Sequence, residues 1–573
     1  MPTHNSDVVE QLNAIADLLE LKGANEFRIR AYRNAGRTVA ALPRRLEAML
    51  ADGEDLSALE GIGDDLAGKI ETLVRTGDLQ QLRDLKNEID PGLLEVLEVP
   101  SLGPKRTRRL ADELGIAGLE DLRAAAEEQE IRALDGFGET LETTILDELD
   151  RMRDRPDRVA YAEAEERVEP LIAYLEALDG AGEVTVAGSY RRHKETVGDV
   201  DVLVTSNANT KVMEGFAAYE DVEEVLSQGK TRSSVRLRGG LQVDLRVVPK
   251  KSYGAAMLYF TGSKAHNIKL RKRAQQRDLK INEYGLFDGD TPKAGITEKE
   301  LYAALDLAFV PPELREDRGE VKAAADDRLP ELVRRKDVRG ELHAHTRASD
   351  GKETLQAMID GARERGYAYL AITDHSEHVG VTQGLDADGI RKQAQAIRSR
   401  SDELEDFDVL AGVEVDIRED GSLALPDEAL RDLDLVIASV HTGFGLSRKR
   451  QTRRIRSAME HTCVHALGHP TGRLLGRRDG YDVDLDDLLR AAADQNWALE
   501  LNGQPSRLDL DDVHCQQARD RGVRILLGAD AHHVGDLDNV RFGIGQARRG
   551  WLEAKDILNT RTRPDLLEAI NRT

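Results

Sequence analysis

The chain has little cysteine, few aromatic residues and no long apolar run. Two cysteines, Cys463 and Cys515, among 573 residues exclude a disulfide scaffold and fit a reducing cytoplasm. No apolar stretch approaches the roughly 20 residues of a membrane span. The start, MPTHNSDVVEQLN, lacks the basic opening and apolar core of a secretory signal. Bases are also short relative to acids, 81 against 106, for a formal net charge of −25. Taken alone, that balance opposes contact with a polyanion. The basic residues, however, are clustered: KRTRR at 105–109, RRHK at 191–194, KLRKR at 269–273 and RKRQTRRIR at 448–456. An acidic shell with local basic patches, arginine preferred to lysine, and 4% aromatic residues suits a DNA enzyme of a halophilic, high-salt cytoplasm. The length implies several domains, each with its own core.

Between residues 340 and 535, six short apolar runs each carry metal-type side chains. GELHAH holds His343 and His345, with Asp350 shortly after. YLAITDH ends on His375, DVLAGVEVDI contains Glu414, and LVIASVH ends on His441. ALGHP holds His469, and ILLGADAH holds Asp530 and His532. Short buried strands separated by helical stretches predict a parallel sheet or barrel with helices outside. Reactive groups in such folds gather at the carboxyl ends of the strands. Nine donors would then converge on one rim, enough for two or three divalent ions. His378, His461, His465, His514 and His533 lie outside this pattern and read as structural or surface residues.

A second metal pattern lies upstream. In VTVAGSYRRHKETVGDVDVLV (184–204), Asp199 and Asp201 share one strand face while Val200, Val202 and Val204 take the other. In LQVDLRVV (241–248), Asp244 is set likewise against Val243, Leu245 and Val247, and Gly239-Gly240 predicts the tight turn leading in. Three carboxylates so placed suit two Mg²⁺ ions and in-line displacement at phosphate. Gly188-Ser189 ahead of the Asp199-x-Asp201 pair resembles the nucleotidyltransferase signature, which implies that Gly188 lets backbone approach a triphosphate with Ser189 and Arg192 as donors.

The first 80 residues have helical periodicity. Three segments then combine an apolar residue, a glycine turn and a helix: LEGIGDDLAGKI (59–70), VPSLGPKRTRRL (99–110) and LDGFGETLETTIL (134–146). They resemble the helix–hairpin–helix motif, whose turns offer backbone N–H groups to DNA phosphates. The resemblance implies contacts at Gly61, Gly63, Gly103, Lys105, Gly136 and Gly138. Ser101 stands where the second motif prefers glycine.

LYFTGSKAHNIKLRKRA (258–274) and LKINEYGLF (279–287) resemble family X DNA polymerases, a likeness running from about residue 5 to 315. It implies that Tyr259 and Phe260, before Gly262, exclude a 2′-hydroxyl, that Asn267 contacts the incoming base, and that Arg271 contacts the template. Arg246 matches a position that restrains the third carboxylate, and Gln242 stands where the family often has a basic residue just before the third aspartate strand pair. Lys69 aligns with the family's Schiff-base lysine and Tyr32 with a neighbour of its pocket. Arg28 departs from that pattern, and Asp64 and Asp65 put negative charge where positive would serve better, leaving lyase activity open. Residues 340–573 resemble the polymerase-and-histidinol-phosphatase (PHP) domain, with all nine ligand positions intact.

The expected fold is multidomain α+β and α/β. It comprises helical hairpin domains over 1–85 and 86–155, a nucleotidyltransferase palm over 156–255 and a nucleotide-selecting domain over 256–315. A linker over 316–338 then leads to a distorted β/α barrel over 339–573. The implied protein is a cytoplasmic, nucleoid-associated monomer acting on gapped or primed DNA with deoxynucleoside triphosphates, using Mg²⁺ in one centre and Mn²⁺ or Zn²⁺ in the other. Its barrel would remove nucleotides from 3′ ends and incise abasic sites. A small-molecule phosphatase with an inert polymerase half, or a DNA-end scaffold without chemistry, are the competing classes.

Overall fold

A computed structural model describes residues 5–570 except 41, 43–45, 52, 60, 77–78, 98, 100, 135, 155–157 and 378–383. His378 therefore lies outside the described residues. The chain forms two compact units: Met1–Arg158 with Ala218–Glu224 and Arg236–Leu241, and Val159–Ala217, Val225–Val235 and Gln242–Thr573. No described helix is long and apolar enough to cross a membrane.

The first unit is helical and has two cores. Val8, Leu12, Ile15, Ile70 and Leu73 belong to one, while Val96, Leu110, Leu122, Ile131 and Ile145 belong to the other. The three hairpin turns follow a common burial pattern. Ile62, Leu102 and Phe137 are buried in these cores, and the glycines on either side of them are exposed, except that Ser101 replaces the first glycine of the second turn. Helices Asp64–Thr76, Pro104–Leu114 and Glu139–Asp154 follow directly.

In the second unit, strands Ala181–Val186, Asp199–Ser206 and Gln242–Val247 lie side by side, the last two parallel. Val200, Val202, Val204, Val243 and Leu245 are fully buried, as the alternation predicts. Gly239 and Gly240, at φ +77° and +86°, make the turn before the last strand, a conformation glycine adopts without steric cost. Helices Tyr253–Thr261 and Lys264–Gln275 and a three-stranded antiparallel sheet over Lys280–Ala294 come next.

Residues 316–338 are not the linker that their charge suggested. Helix Glu320–Ala325 buries Glu320 against His266, Nδ1 to Oε1 2.6 Å. Ala324 and Leu332 join a core with Leu301, Tyr302 and Trp551. Charge here is paired over long sequence distances, Glu316 with Arg192 at 2.9 Å and Arg318 with Asp512 at 2.6 Å.

Seven parallel strands in chain order form the C-terminal barrel: Gly340–Glu341, Tyr369–Ile372, Asp408–Asp416, Leu435–Ser439, Ala466–Leu467, Ala498–Asn502 and Ile525–Gly528. Closure comes from Ala531, whose N–H donates to the His343 carbonyl at 3.1 Å and whose carbonyl accepts from His345 at 2.8 Å. Alternate residues such as Val409, Val413, Val436 and Leu499 pack outward under the helices. Leu410, Leu435, Ile437, Ala498 and Leu526 fill the floor of the interior, plugged by Leu566 and Ile570. Along each strand the inward series then turns polar: Leu410-Gly412-Glu414-Asp416, Ile437-Ser439-His441, Ala498-Glu500-Asn502 and Leu526-Gly528-Asp530.

Candidate metal centres and their surroundings

Glu414 lies at the middle of the barrel rim. It is 3.1 Å from His375 Nδ1, 3.4 Å from His441 Nε2, 3.0 Å from His469 Nε2, 3.5 Å from His343 Nε2 and 3.7 Å from His345 Nε2. Asp530 stands 3.3 Å from His345 and 3.8 Å from His343, and Asp350 lies 3.4 Å from His375 and 3.2 Å from His532. All nine donors named from the sequence therefore meet in one cluster. Three groupings within it have ion-binding spacing: His345, Asp350, His375 and His532; His343, His345 and Asp530; and His375, Glu414 and His441.

These residues fit divalent metal on an observation of their own. His343 Nε2 and both ring nitrogens of His345 are buried without a hydrogen-bond partner, an arrangement that is costly unless a cation completes it. The outward-facing nitrogens, in contrast, are fixed. His343 Nδ1 donates to Glu500 at 2.6 Å, His441 Nδ1 to Asp416 at 2.8 Å, and His532 Nδ1 to the Asp530 carbonyl at 2.9 Å. Such partners set the tautomer and turn Nε2 toward the centre. Glu500 and Asp416 were not singled out in the sequence, although Asp416 shares the strand face of Glu414 two residues away.

Without metal, protons balance the charge. Burial opposes a charged ring at His441, but Glu414 and Asp416 outweigh it and push the value up to about 10. At His532 burial is likewise outweighed, by Asp350 and Asp530, giving about 9. Burial works against ionised Glu414 and Asp530, yet the surrounding histidines hold both well below the usual carboxylate range. Of the histidines that the sequence pattern sets aside, the four described ones have protein partners. His461 pairs with Asp427, His465 Nδ1 accepts from Val436, His514 pairs with Asp511, and His533 accepts from the Gly535 N–H.

The second centre is all carboxylate. Asp201 faces Asp244 directly across the parallel pair, with Asp199 one step along the same face. Burial, and then the Asp199 charge, push Asp201 up to about 6. This mutual repulsion is relieved by a divalent cation, so these three residues fit a metal pair. Burial would also raise Asp244, but hydrogen bonds from Ser234, Gln242 and Arg232 together bring it below its usual value. Arg232 donates at 2.9 Å and Gln242 at 3.2 Å. Control of Asp244, placed in question by Gln242, thus comes from Ser234 and Gln242 together with Arg232, whose ion pair with Asp244 local sequence did not reveal. Arg246 stands 3.9 Å from Asp201 and 4.0 Å from Asp244, with its guanidinium 4.4 Å from the Phe260 ring centre.

Gly188 sits at φ +67°, beside Asp201, and opens a one-turn helix that includes Ser189. Arg192 is committed to Glu316 at 2.9 Å and to the Thr261 carbonyl. Tyr259 and Phe260 pack edge to face at 5.0 Å, Asn267 donates to the Tyr259 carbonyl at 2.8 Å, and Arg271 lies 5.6 Å over the Tyr259 ring. Gly262, at φ +67°, ends that helix.

Lys69 donates to Asp65 at 2.6 Å and Tyr32 at 2.8 Å. Burial lowers its pKa, but Asp65 and Tyr32 outweigh burial and raise it overall. At the hairpins, Gly61 and Gly136 both adopt φ +75°, and Gly63, Gly103 and Gly138 face open space. Ser101 instead donates its N–H to Glu148 at 3.0 Å. Lys105, in the first turn of the second hairpin helix, has a largely exposed side chain.

A carboxylate triad on a palm-type sheet and a histidine-rich barrel rim together define a protein with two metal-dependent centres for phosphate chemistry. Sequence comparison gives the same division. The chain matches a helix-hairpin-helix domain over 3–79, a SAM-like helix-hairpin-helix tandem over 93–151, the DNA polymerase beta palm over 158–270, the DNA polymerase beta thumb over 256–316 and the PHP domain over 341–504. It is 36% identical to the DNA polymerase/3'-5' exonuclease PolX of Bacillus subtilis (strain 168), over 99% of this chain and 100% of that one. A probable phosphatase of Thermoanaerobacter sp. (strain X514) is 27% identical over 38% of this chain and 90% of its own. Rat DNA polymerase lambda is 25% identical over 55% of this chain and 56% of its own. The chain belongs to the family X DNA polymerases that carry a C-terminal PHP domain.

Proposed function

We propose that the protein fills short gaps during base excision repair, extending DNA 3′ ends with deoxynucleoside triphosphates. On this reading its barrel removes nucleotides from 3′ ends and incises abasic sites. The observation that carries the proposal is the presence of two complete and chemically different donor sets in one chain. The all-oxygen set of Asp199, Asp201 and Asp244 suits Mg²⁺, and the mixed imidazole and carboxylate set suits Mn²⁺ or Zn²⁺. Ions bound in these sets would activate the attacking oxygen and neutralise charge building at phosphorus. The name of the Bacillus subtilis relative carries both activities.

Asp199 and Asp201 are assigned to ion binding and Asp244 to activation of the primer 3′-hydroxyl. Gly188, Ser189 and Arg192 receive the triphosphate. Tyr259 and Phe260 line the sugar side, with Gly262 ending their helix, Asn267 reads the base edge, and Arg271 meets the template. The exposed turns at Gly61, Gly63, Gly103, Gly136 and Gly138, with Lys105, grip phosphates without reading sequence. The acid excess supports a high-salt working range.

Asp199→Ala and His343→Ala test the scheme. The first should abolish extension and spare degradation, and the second should do the reverse. Loss of both activities from one substitution in folded protein would refute two independent centres. The phosphatase relative supports a second reading, hydrolysis of a small phosphomonoester in the barrel. Turnover of such esters without shortening of DNA 3′ ends would favour it.

A further inference from the structure

The loop assigned above to the triphosphate, Gly188 to Glu195, is braced by the C-terminal barrel. Arg549, at the end of helix Val540–Arg549, donates to the main-chain carbonyl of Arg192 at 2.7 Å. The same nitrogen reaches Glu316 at 3.0 Å, and the other terminal nitrogen is anchored on Asp512 at 2.6 Å. Glu316 in turn holds the Arg192 guanidinium at 2.9 Å. The Arg549 side chain is only 4% exposed, and a guanidinium fork in that setting fixes direction as well as distance.

Three further contacts converge on the same loop. Gln546 donates to the His193 carbonyl at 2.8 Å. A Cβ added at Gly545 would lie 3.0 Å from His193 Nδ1, tighter than an ordinary contact, so His193 would have to give by a few tenths of an ångström. Tyr161 stacks on Tyr190 at 4.8 Å and on His193 at 5.1 Å, and Phe542 of the barrel closes the group edge-on at 6.2 Å. His193 itself sits at φ +52°, a conformation unfavourable for a residue with a Cβ and held only by its surroundings.

We propose that Arg549 is a positioning residue for nucleotide addition: a barrel side chain sets the Arg192 carbonyl and Glu316, and through them the donors offered to the triphosphate. Arg549 touches no substrate and acts through Glu316 and the loop backbone. The proposal rests on the assignment of this loop to the triphosphate.

The test is gap-filling kinetics on the full chain carrying Arg549→Met, Arg549→Lys or Gly545→Ala, with 3′-end degradation assayed in parallel. Displacement of a triphosphate cradle should raise the KM for the incoming nucleotide about tenfold or more, with kcat within about threefold. Degradation should stay at the wild-type rate. Lysine, which keeps the charge but loses the fork, should recover part of the KM. Gly545→Ala keeps every charge and should shift KM in the same direction, so it carries the test if Arg549→Met does not fold. A wild-type KM in the folded variants, or an equal loss of both activities, would overturn the idea and leave plain domain packing. Asp199→Ala separates the two levels of the argument. If it spares extension, the polymerase reading fails. If it abolishes extension while the Arg549 and Gly545 variants keep a wild-type KM, only the positioning role fails.

Discussion

Glu500 joins two metal-type histidines: one carboxylate oxygen accepts from His343 Nδ1 at 2.6 Å and the other from the His469 backbone N–H at 2.6 Å. Glu500 is fully buried and lies two residues below Asn502, which donates to Asp530 at 3.0 Å. One side chain thereby fixes the orientation of His343 and the position of His469. Glu500→Gln leaves a single acceptor oxygen for two donors. The expected result is Mn²⁺ binding about 10- to 100-fold weaker in the barrel, as for other partners of ligating histidines, with nucleotide addition unchanged. Wild-type metal affinity in the folded variant would remove Glu500 from this role.

Asp201 illustrates a conflict between function and stability. Its value of about 6 in the fold lies above the ordinary 3.8 of an aspartate, so folding favours the protonated form. That preference stabilises the fold below about pH 4 and is lost as pH rises through 6. Metal-free Asp201→Asn should therefore be more stable than wild type at pH 8 by on the order of 2–3 kcal/mol. The gap should close as pH falls toward 4, and Mg²⁺ should raise the melting temperature of wild type more than that of the variant. Thermal melts across pH check this, and equal stability of the two proteins at pH 8 would contradict it.

Metal removal should load the barrel with protons. His441 at about 10 and His532 at about 9 both hold a proton at pH 8 without metal, and both must be neutral to ligate. Mn²⁺ uptake at pH 8 should release at least two protons, and affinity should fall steeply as pH is lowered. Calorimetry in two buffers of different ionisation enthalpy measures the release. No release would contradict the balance.

Lys69 is held protonated by Asp65 and Tyr32 despite partial burial. Only the neutral amine attacks an aldehyde. Borohydride trapping on DNA with a 5′-deoxyribose phosphate should give little adduct at pH 7.5 and more after Asp65→Ala. Efficient trapping in wild type, lost in Lys69→Ala, would show that the pair does not restrain the amine.

The nine barrel donors were legible because each stands in or just after a short apolar run, and the triad because paired aspartates on one strand face carry a local signature. Asp416 occupies one of those runs and Glu500 a further one, ALELN, but neither was legible. A strand of a barrel packed on both faces shows no alternation of apolar and polar residues, so nothing local marks which acids point inward. Arg232 was hidden for another reason, since it meets Asp244 only through the pairing of neighbouring strands. Residues 316–338 misled because composition reports charge and not its partners, here Glu316 with Arg192 and Arg318 with Asp512.

The sequence by itself determined which donors exist and which neighbours share a face, because covalent geometry and strand period act over a few residues. Tertiary structure decided which donors meet, where the protons sit without metal, and that Arg549 reaches the Arg192 carbonyl 357 positions away. Those outcomes depend on strand register and on the return path of the chain, which join groups with no local relationship.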